Sequence, residues 1–333
     1  MDPVALTREL IAIPSPTGEE GPVAEFLAGV LEREGFRVVR QPVSPGRVNL
    51  YATLDAPVVV LSTHLDVVPP HLDVREDDEW LWGRGACDAK GLAAAMLTAA
   101  LALRAGGERR VGLLFVVGEE DGSDGARAAA ALEPRGRYLV NGEPTENRLA
   151  VGQKGALRVS LQAAGRAAHS GYPAEGESAV DALLDSLSRI RAIPLPEDPL
   201  LGPSTLNVGR IAGGVAPNVI PPSATAELLF RIVGDTTDLR QAIRDAAHPK
   251  VAVEFPLEIP PVRSSPVAGW ETTVVSYASD LPFLAPWGER YQLGPGTILL
   301  AHTAEERIRK RELREGAERY ERLARTLLAK EGA

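Results

Sequence analysis

The sequence predicts an α/β fold, a mostly parallel sheet covered by helices on both faces, with a smaller α+β domain inserted into it. Three observations lead there. Continuous apolar runs of strand length, at residues 58–61, 111–117 and 138–140, read as strands buried on both faces. Segments with apolar residues at helical spacing alternate with them, at 4–11, 22–34 and 91–104. Near residue 156 the texture changes to strands of alternating burial set between proline-rich stretches.

In chain order, helix 4–11 is followed by helix 22–34, which Gly35 closes as a C-terminal stop. Residues 37–40 and 48–53 read as strands. Strand 58–61 then runs straight into His64, and the alanine-rich helix 91–104 begins just after Asp88. Strand 111–117 leads into Glu119 and Glu120, and strand 138–140 leads into Glu143. Beyond 156, strands 156–163, 224–233 and 251–257 with helices 179–190 and 237–247 form two β–α–β units, as in a ferredoxin-like sandwich. Proline-rich stretches at 193–203 and 217–222 separate them. Around 260–266 the chain returns to the first domain. The expected organisation is a discontinuous catalytic domain, 1–155 and 263–333, with the insert at 156–262. The basic cluster at 307–314 alternates with glutamates and reads as the solvated face of the last helix.

Composition bounds the function. A 333-residue chain with 44% hydrophobic and 24% charged residues has the make-up of an ordinary globular protein, long enough for two domains. A net charge of −9 argues against a nucleic-acid surface built on phosphate contacts. The single cysteine allows no internal disulfide, the apolar runs are too short to span a membrane, and Met1-Asp2-Pro3 opens no signal peptide. A cytoplasmic protein is expected.

The informative residues are few. Only five histidines are present; one lies in Thr63-His64-Leu65-Asp66 and another in Ala301-His302-Thr303. Between them come Asp88 in a glycine-rich turn, the pair Glu119-Glu120, and Glu143 in Gly142-Glu143-Pro144-Thr145. Each has a bland reading. His-x-Asp is commonly a satisfied structural histidine, Asp88 a helix N-cap, Glu143 a turn residue, and paired glutamates surface charge. Taken together, two histidines and three carboxylates, with one more glutamate adjacent, are what a pair of zinc ions and a general base require. His64, Glu119, Glu120 and Glu143 also each follow the C-terminal end of a predicted strand, where open α/β sheets place their ligands. Asp66 can accept a proton from the second ring nitrogen of His64. No glycine-rich nucleotide fingerprint is present, so a nucleotide-binding reading fails.

This ordered set resembles the dinuclear zinc amidohydrolase and exopeptidase family, which includes acetylornithine deacetylase, succinyl-diaminopimelate desuccinylase, aminoacylase and the glutamate-releasing carboxypeptidases. The resemblance covers nearly the whole chain. In the insert, Ala167-Ala168-His169-Ser170-Gly171 and Ala216-Pro217-Asn218-Val219-Ile220-Pro221 look like the family's lid signatures. It implies a zinc exopeptidase-like fold with a lid and dimerisation domain. It also implies that Asp88 bridges two metals, with His64 and Glu143 completing one site and Glu120 and His302 the other. Glu119 would be the base and proton donor, and Asp66 the partner of His64. His169 would polarise the substrate carbonyl, in dimeric members from the other subunit. Asn218 and Arg231 would hold the substrate's carboxylate, with the backbone at Gly294 and Gly296 beside it. From the residues alone, His169 reads as a surface residue, and its lid role rests on the resemblance; His71 and His248 match nothing and read as surface residues. The stretch 68–82 is shorter than the loop common in the family, which reshapes the mouth of the pocket without removing a ligand.

The stretch Ala278-Ser279-Asp280-Leu281-Pro282, with Gly294-Pro295-Gly296 and Ala301-His302-Thr303, most resembles the acetylornithine deacetylase branch. The expected substrate is a small N-acyl amino acid, N-acetyl-ornithine or N-acetyl-citrulline first, with a place in arginine biosynthesis. A desuccinylase, aminoacylase or dipeptidase is the alternative, and a metal-binding homologue without catalysis is a remoter one. The expected cofactors are two divalent cations, zinc first and cobalt or manganese next. The expected partners are the small-molecule substrate and a second copy bound through the insert, with neither nucleic acid nor membrane.

Overall fold

The computed structural model describes residues 1–331. Its contacts divide the chain into two compact units. The first comprises 1–151, 263–273 and 279 onward; the second comprises 152–262 and 274–278.

In the first unit, the three apolar runs predicted as strands are Val59–His64, Val111–Val116 and Tyr138–Gly142, buried along their whole length. Val59–His64 pairs in parallel with both of the others, and Glu289–Leu293 adds a further parallel strand beside Tyr138–Gly142. An antiparallel wing, Arg37–Ser44 with Arg47–Thr53, joins at Val111–Val116. Continuous apolar strands need cover on both faces, and helices supply it. Lys90–Ala105, mostly alanine and leucine, is buried nearly all round and packs on the strands Val59–His64 and Val111–Val116 and on the last helix, Lys310–Ala329. The first helix, Pro3–Ile11, starts where the Asp2 side chain accepts from the Val4 N–H, with proline in its first turn.

Val59–His64 lies between one neighbour reached in one direction and one reached in the other. The crevice beyond its C-terminal end is therefore a topological switch point. His64 closes this strand, and Glu119 and Glu143 follow the two neighbours within a few residues.

The second unit is a four-stranded antiparallel sheet in the spatial order Thr205–Gly213, Ser223–Ile232, Gly155–Ala164, Val251–Ile259. Helices Ala179–Arg191 and Thr237–Ala246 give the chain order βαββαβ of the ferredoxin-like sandwich. Alternate residues Leu157, Val159 and Leu161 pack with Leu183, Leu187, Ile190, Leu239 and Ile243 in a core of its own.

Among the departures from the sequence expectations, three have a clear physical reason. Arg307–Arg309 is a strand pairing with Trp80–Trp82, not the start of the last helix, and the guanidiniums of Arg307 and Arg309 lie 5.0 and 4.8 Å from the Trp80 ring centre. Thr205–Gly213 is an edge strand that alternates only over Leu206 and Val208, half-buried against the core, and is exposed beyond the register shift that follows Val208. Glu289–Leu293 has a buried Gln292 in place of an apolar residue. No described helix is long and apolar enough to cross a membrane.

Leu97 is fully buried in the helix Lys90–Ala105. Leu97→Ala should lower unfolding free energy by about 2–5 kcal/mol in urea titrations; a change below about 1 kcal/mol would mean that the layer collapses around the gap.

Candidate active site

The loops beyond the strand ends bring the candidate residues of the first unit to one place. His64 Nε2 lies 3.0 Å from one carboxylate oxygen of Asp88. His302 Nε2 lies 3.4 Å from the other and 2.9 Å from Glu120 Oε1. Two sets of donor atoms result, His64 with Asp88 and Glu143, and Asp88 with Glu120 and His302, each set within 4.8 Å. Asp88 belongs to both.

The ring of His64 is oriented by its other nitrogen. Nδ1 lies 3.0 Å from the backbone carbonyl of Asp66 and 3.4 Å from its carboxylate. A carbonyl oxygen only accepts, so Nδ1 carries the proton, and in the neutral ring the Nε2 lone pair faces Asp88. The Asp66 carboxylate has a second task that the sequence did not reveal. Its two oxygens accept the backbone N–H groups of Glu119 and Glu120, both at 3.1 Å, and the Thr17 hydroxyl at 2.8 Å. The Ser15 hydroxyl donates to Leu65 O, so the N-terminal turn braces the same loop.

The turn Glu119–Asp121 lies between two glycines in the left-handed region, Gly118 at φ +75° and Gly122 at φ +98°. A side chain at Gly118 would strike Asp124 and Arg47. Those two belong to a half-buried network in which the Arg47 guanidinium bridges Glu20 and Asp124. Gly294 is required for another reason. It donates to the Thr145 hydroxyl, and a Cβ there would sit 2.5 Å from the Glu143 carbonyl oxygen. Gly296, at φ +88°, donates to Glu312 Oε1. Glycine thus permits close approach to the Glu143 loop at 294 and, at 296, to Cys87 beside Asp88, where a Cβ would sit 2.7 Å from the Cys87 Cβ.

The electrostatics follow from packing four carboxylates together. Burial, then Asp88, pushes the Glu143 carboxyl well above its usual range; burial, then Glu143, does the same to Glu119. Burial also raises Glu120, against its hydrogen bond to His302. Asp88 is held down because His302 and His64 outweigh its burial. Hydrogen bonds to Asp88 and Glu120 raise His302 to about 10. An imidazole nitrogen facing carboxylate oxygens needs a proton or a cation between them. Nitrogen and oxygen donors without thiolate are a ligand set for divalent zinc and its neighbours. The residues present fit such a centre.

Asp280 lies in the stretch that resembles the acetylornithine deacetylase branch, and the sequence assigns it no role of its own. It is buried, no described residue partners its Oδ1, and burial raises its carboxyl to about 7 against the pull of Ser123. Its signal in the sequence was a lone aspartate beside a proline turn.

The model of the peptidase family M20/M25/M40 matches residues 60–326. The chain belongs to this family. It is therefore an amide-bond hydrolase, as the M20/M25/M40 peptidases are. A probable carboxypeptidase of Aspergillus clavatus is 39% identical over 96% of this chain and 81% of its own. A peptidase M20 domain-containing protein of Schizosaccharomyces pombe is 38% identical over 96% and 83%. Among solved M20 structures, a metallo-carboxypeptidase from Sulfolobus solfataricus superposes with a TM-score of 0.79, at 18% identity over 98% of this chain and 99% of that one. A tripeptidase from Staphylococcus aureus gives 0.79 at 22% identity over 97% and 98%. At such identities these two structures speak for the M20 fold alone.

The remaining candidates lie in the second unit of this M20 chain. His169 is exposed, with its Nδ1 accepting from the Gly171 N–H. Asn218 lies alongside, its carbonyl accepting from the Ser170 N–H. Arg231 does not join them. Ser223 pairs with Ala164 and Arg231 with Ala156, so Arg231 lies at the opposite end of its strand. The length from Ser223 to Arg231 is about 26 Å at about 3.3 Å per residue.

Gly294→Ala should cost about 1–3 kcal/mol in denaturant titration, because the new methyl meets backbone that cannot step aside. Unchanged stability would show that the Glu143 loop yields.

Proposed function

We propose that the protein is a two-metal hydrolase that cleaves the amide bond between an acyl group and a carboxylate-bearing amino acid. The observation that carries this reading is the position of Asp88, with one oxygen turned to each donor set, while Glu119 belongs to neither set and feels the charges of Glu143, His64 and Glu120. His64, Asp88 and Glu143 would hold one divalent cation, and Asp88, Glu120 and His302 the other. Zinc is the first choice, with cobalt or manganese accepted by the same donors. When bound, such a pair supplies Lewis acidity toward a carbonyl and makes water a stronger acid.

The protein's own groups do the rest. The Glu119 carboxylate takes a proton from the attacking water and returns it to the departing nitrogen. Its backbone N–H on Asp66 keeps it at the site between the two steps. Arg231 binds the substrate carboxylate. His169 and Asn218 sit too far along the insert for one small substrate to touch them and Arg231 in a single copy. This supports a homodimer in which His169, with Asn218, reaches the substrate from the other copy. The open edge strand Thr205–Gly213 and the exposed Leu184, Ile211 and Val215 of the same unit are the surface offered to that copy.

A C-terminal peptide bond and an N-acyl amino acid present the same group, an acyl nitrogen next to a carboxylate-bearing carbon. The similarity to probable carboxypeptidases over nearly the whole chain favours short peptides as substrates. Removal of the acetyl group from N-acetyl-ornithine or N-acetyl-citrulline is the second reading, favoured by the stretch around Asp280 and Gly294. Amine release from dipeptides, tripeptides, N-acetyl-ornithine, N-acetyl-citrulline, N-acetyl-methionine and succinyl-diaminopimelate separates the two. Chelator-sensitive turnover of one class supports the proposal; with two metals bound, silence across the panel would leave a centre without this activity.

Glu119→Gln should retain both metals and lose about 10²- to 10⁴-fold in kcat. Near-normal turnover would refute the proton role. Asp88→Asn should weaken both metals, whereas Glu143→Gln should weaken one, as counted by elemental analysis of dialysed protein. Equal losses in the two variants would contradict the shared position of Asp88.

A further inference from the structure

Glu306 has no part in the chemistry described above, yet its carboxylate is fully buried against the loop that carries Asp88. Its Oε1 accepts three backbone N–H groups, from Gly85 at 2.9 Å and from Cys87 and Asp88 at 3.3 Å each. Its Oε2 accepts the Arg84 guanidinium at 2.6 Å, and Arg84 is itself buried. The same two segments are tied again by the Gly83 N–H on Glu306 O and by Arg84 on Thr303 O. Glu306 stands four residues after His302. One carboxylate therefore joins the Asp88 loop to the segment that holds His302.

We propose that Glu306 is the positioning residue of the metal centre, gathering the amides of Gly85, Cys87 and Asp88 so that Asp88 presents one oxygen to His64 and the other to His302. With glycine at 83 and 85 the loop's backbone is free to take several conformations, and three N–H groups converging on one oxygen constrain it to one. An ion pair between Arg84 and Glu306 alone would need none of those amide contacts. The inference rests on the proposed metal centre, and it concerns the order of the ligands before any metal arrives. Partners of this kind behind a ligand commonly govern metal affinity by about 10- to 100-fold.

The test removes the ion pair from both arms and leaves a single difference. In an Arg84→Met background, Glu306→Gln keeps an oxygen for the three amides, while Glu306→Met, of similar shape and equal charge, does not. Metal-free forms of both are titrated with Zn²⁺ against a chromophoric chelator, and with Co²⁺ for its visible absorption spectrum. The glutamine variant should bind within about threefold of the native protein. The methionine variant should bind about 10- to 100-fold more weakly, with an altered Co²⁺ spectrum and a lower kcat at saturating metal. Equal affinity and equal spectra in the two variants would overturn the proposal, leaving Glu306 as part of a structural ion pair. If the methionine variant does not fold, Glu306→Leu in the same background makes the same comparison. A native protein that binds no metal would instead overturn the metal centre itself, so the two failures are distinct.

Discussion

Like charges brought together in a protein interior repel strongly unless something of opposite sign, or a set of hydrogen-bond donors, answers them. Asp88, Glu119, Glu120 and Glu143 meet beyond the ends of three strands, and much of the first unit can be read as the response. Two imidazoles face the carboxylates. Backbone amides are assigned to the carboxylates behind them: Glu119 and Glu120 donate to Asp66, and Gly85, Cys87 and Asp88 donate to Glu306. Asp66 and Glu306 thus play matching parts, each an aspartate or glutamate outside the donor sets that anchors a loop within them. What is still uncompensated is negative charge at the centre, which suits divalent cations.

The parallel strands make this crowding possible. Each delivers its loop to the same edge of the sheet, so residues far apart in sequence arrive as neighbours without long connections. His64, Glu119, Glu143 and Gly294 all follow strand ends, while Asp88 enters from the start of the helix Lys90–Ala105. Close approach of backbone then replaces side chains as the means of fitting, as at Gly118 and Gly294.

The second unit obeys different rules. Its antiparallel sheet has a core of its own, and the residues offered for substrate lie at opposite ends of that sheet. The proposed substrate roles of Arg231, His169 and Asn218 are compatible with one small substrate through the proposed second copy, which would supply the other end. In this way the proposed dimer and the proposed substrate size depend on each other, and membership of the peptidase family gives both a common chemistry.

Much was legible in the amino-acid order, and for physical reasons. Short apolar runs bounded by turn residues favoured buried strands, apolar residues at helical spacing favoured helices, and so the layers of the first unit followed. Histidine and carboxylate in a fixed order pointed to a metal because few other tasks use those groups together. The tertiary structure alone decided the rest. The strand Glu289–Leu293 was hidden because its Gln292 is buried without being apolar, and Thr205–Gly213 because its alternation stops at the register shift after Val208. Asp66 as a clamp on the Glu119 turn and Glu306 as a clamp on the Asp88 loop left no trace in the sequence, since their partners are backbone amides, which every residue but proline possesses. Residue types determined which chemistry was available; only the folded chain determined which of those residues hold the others still.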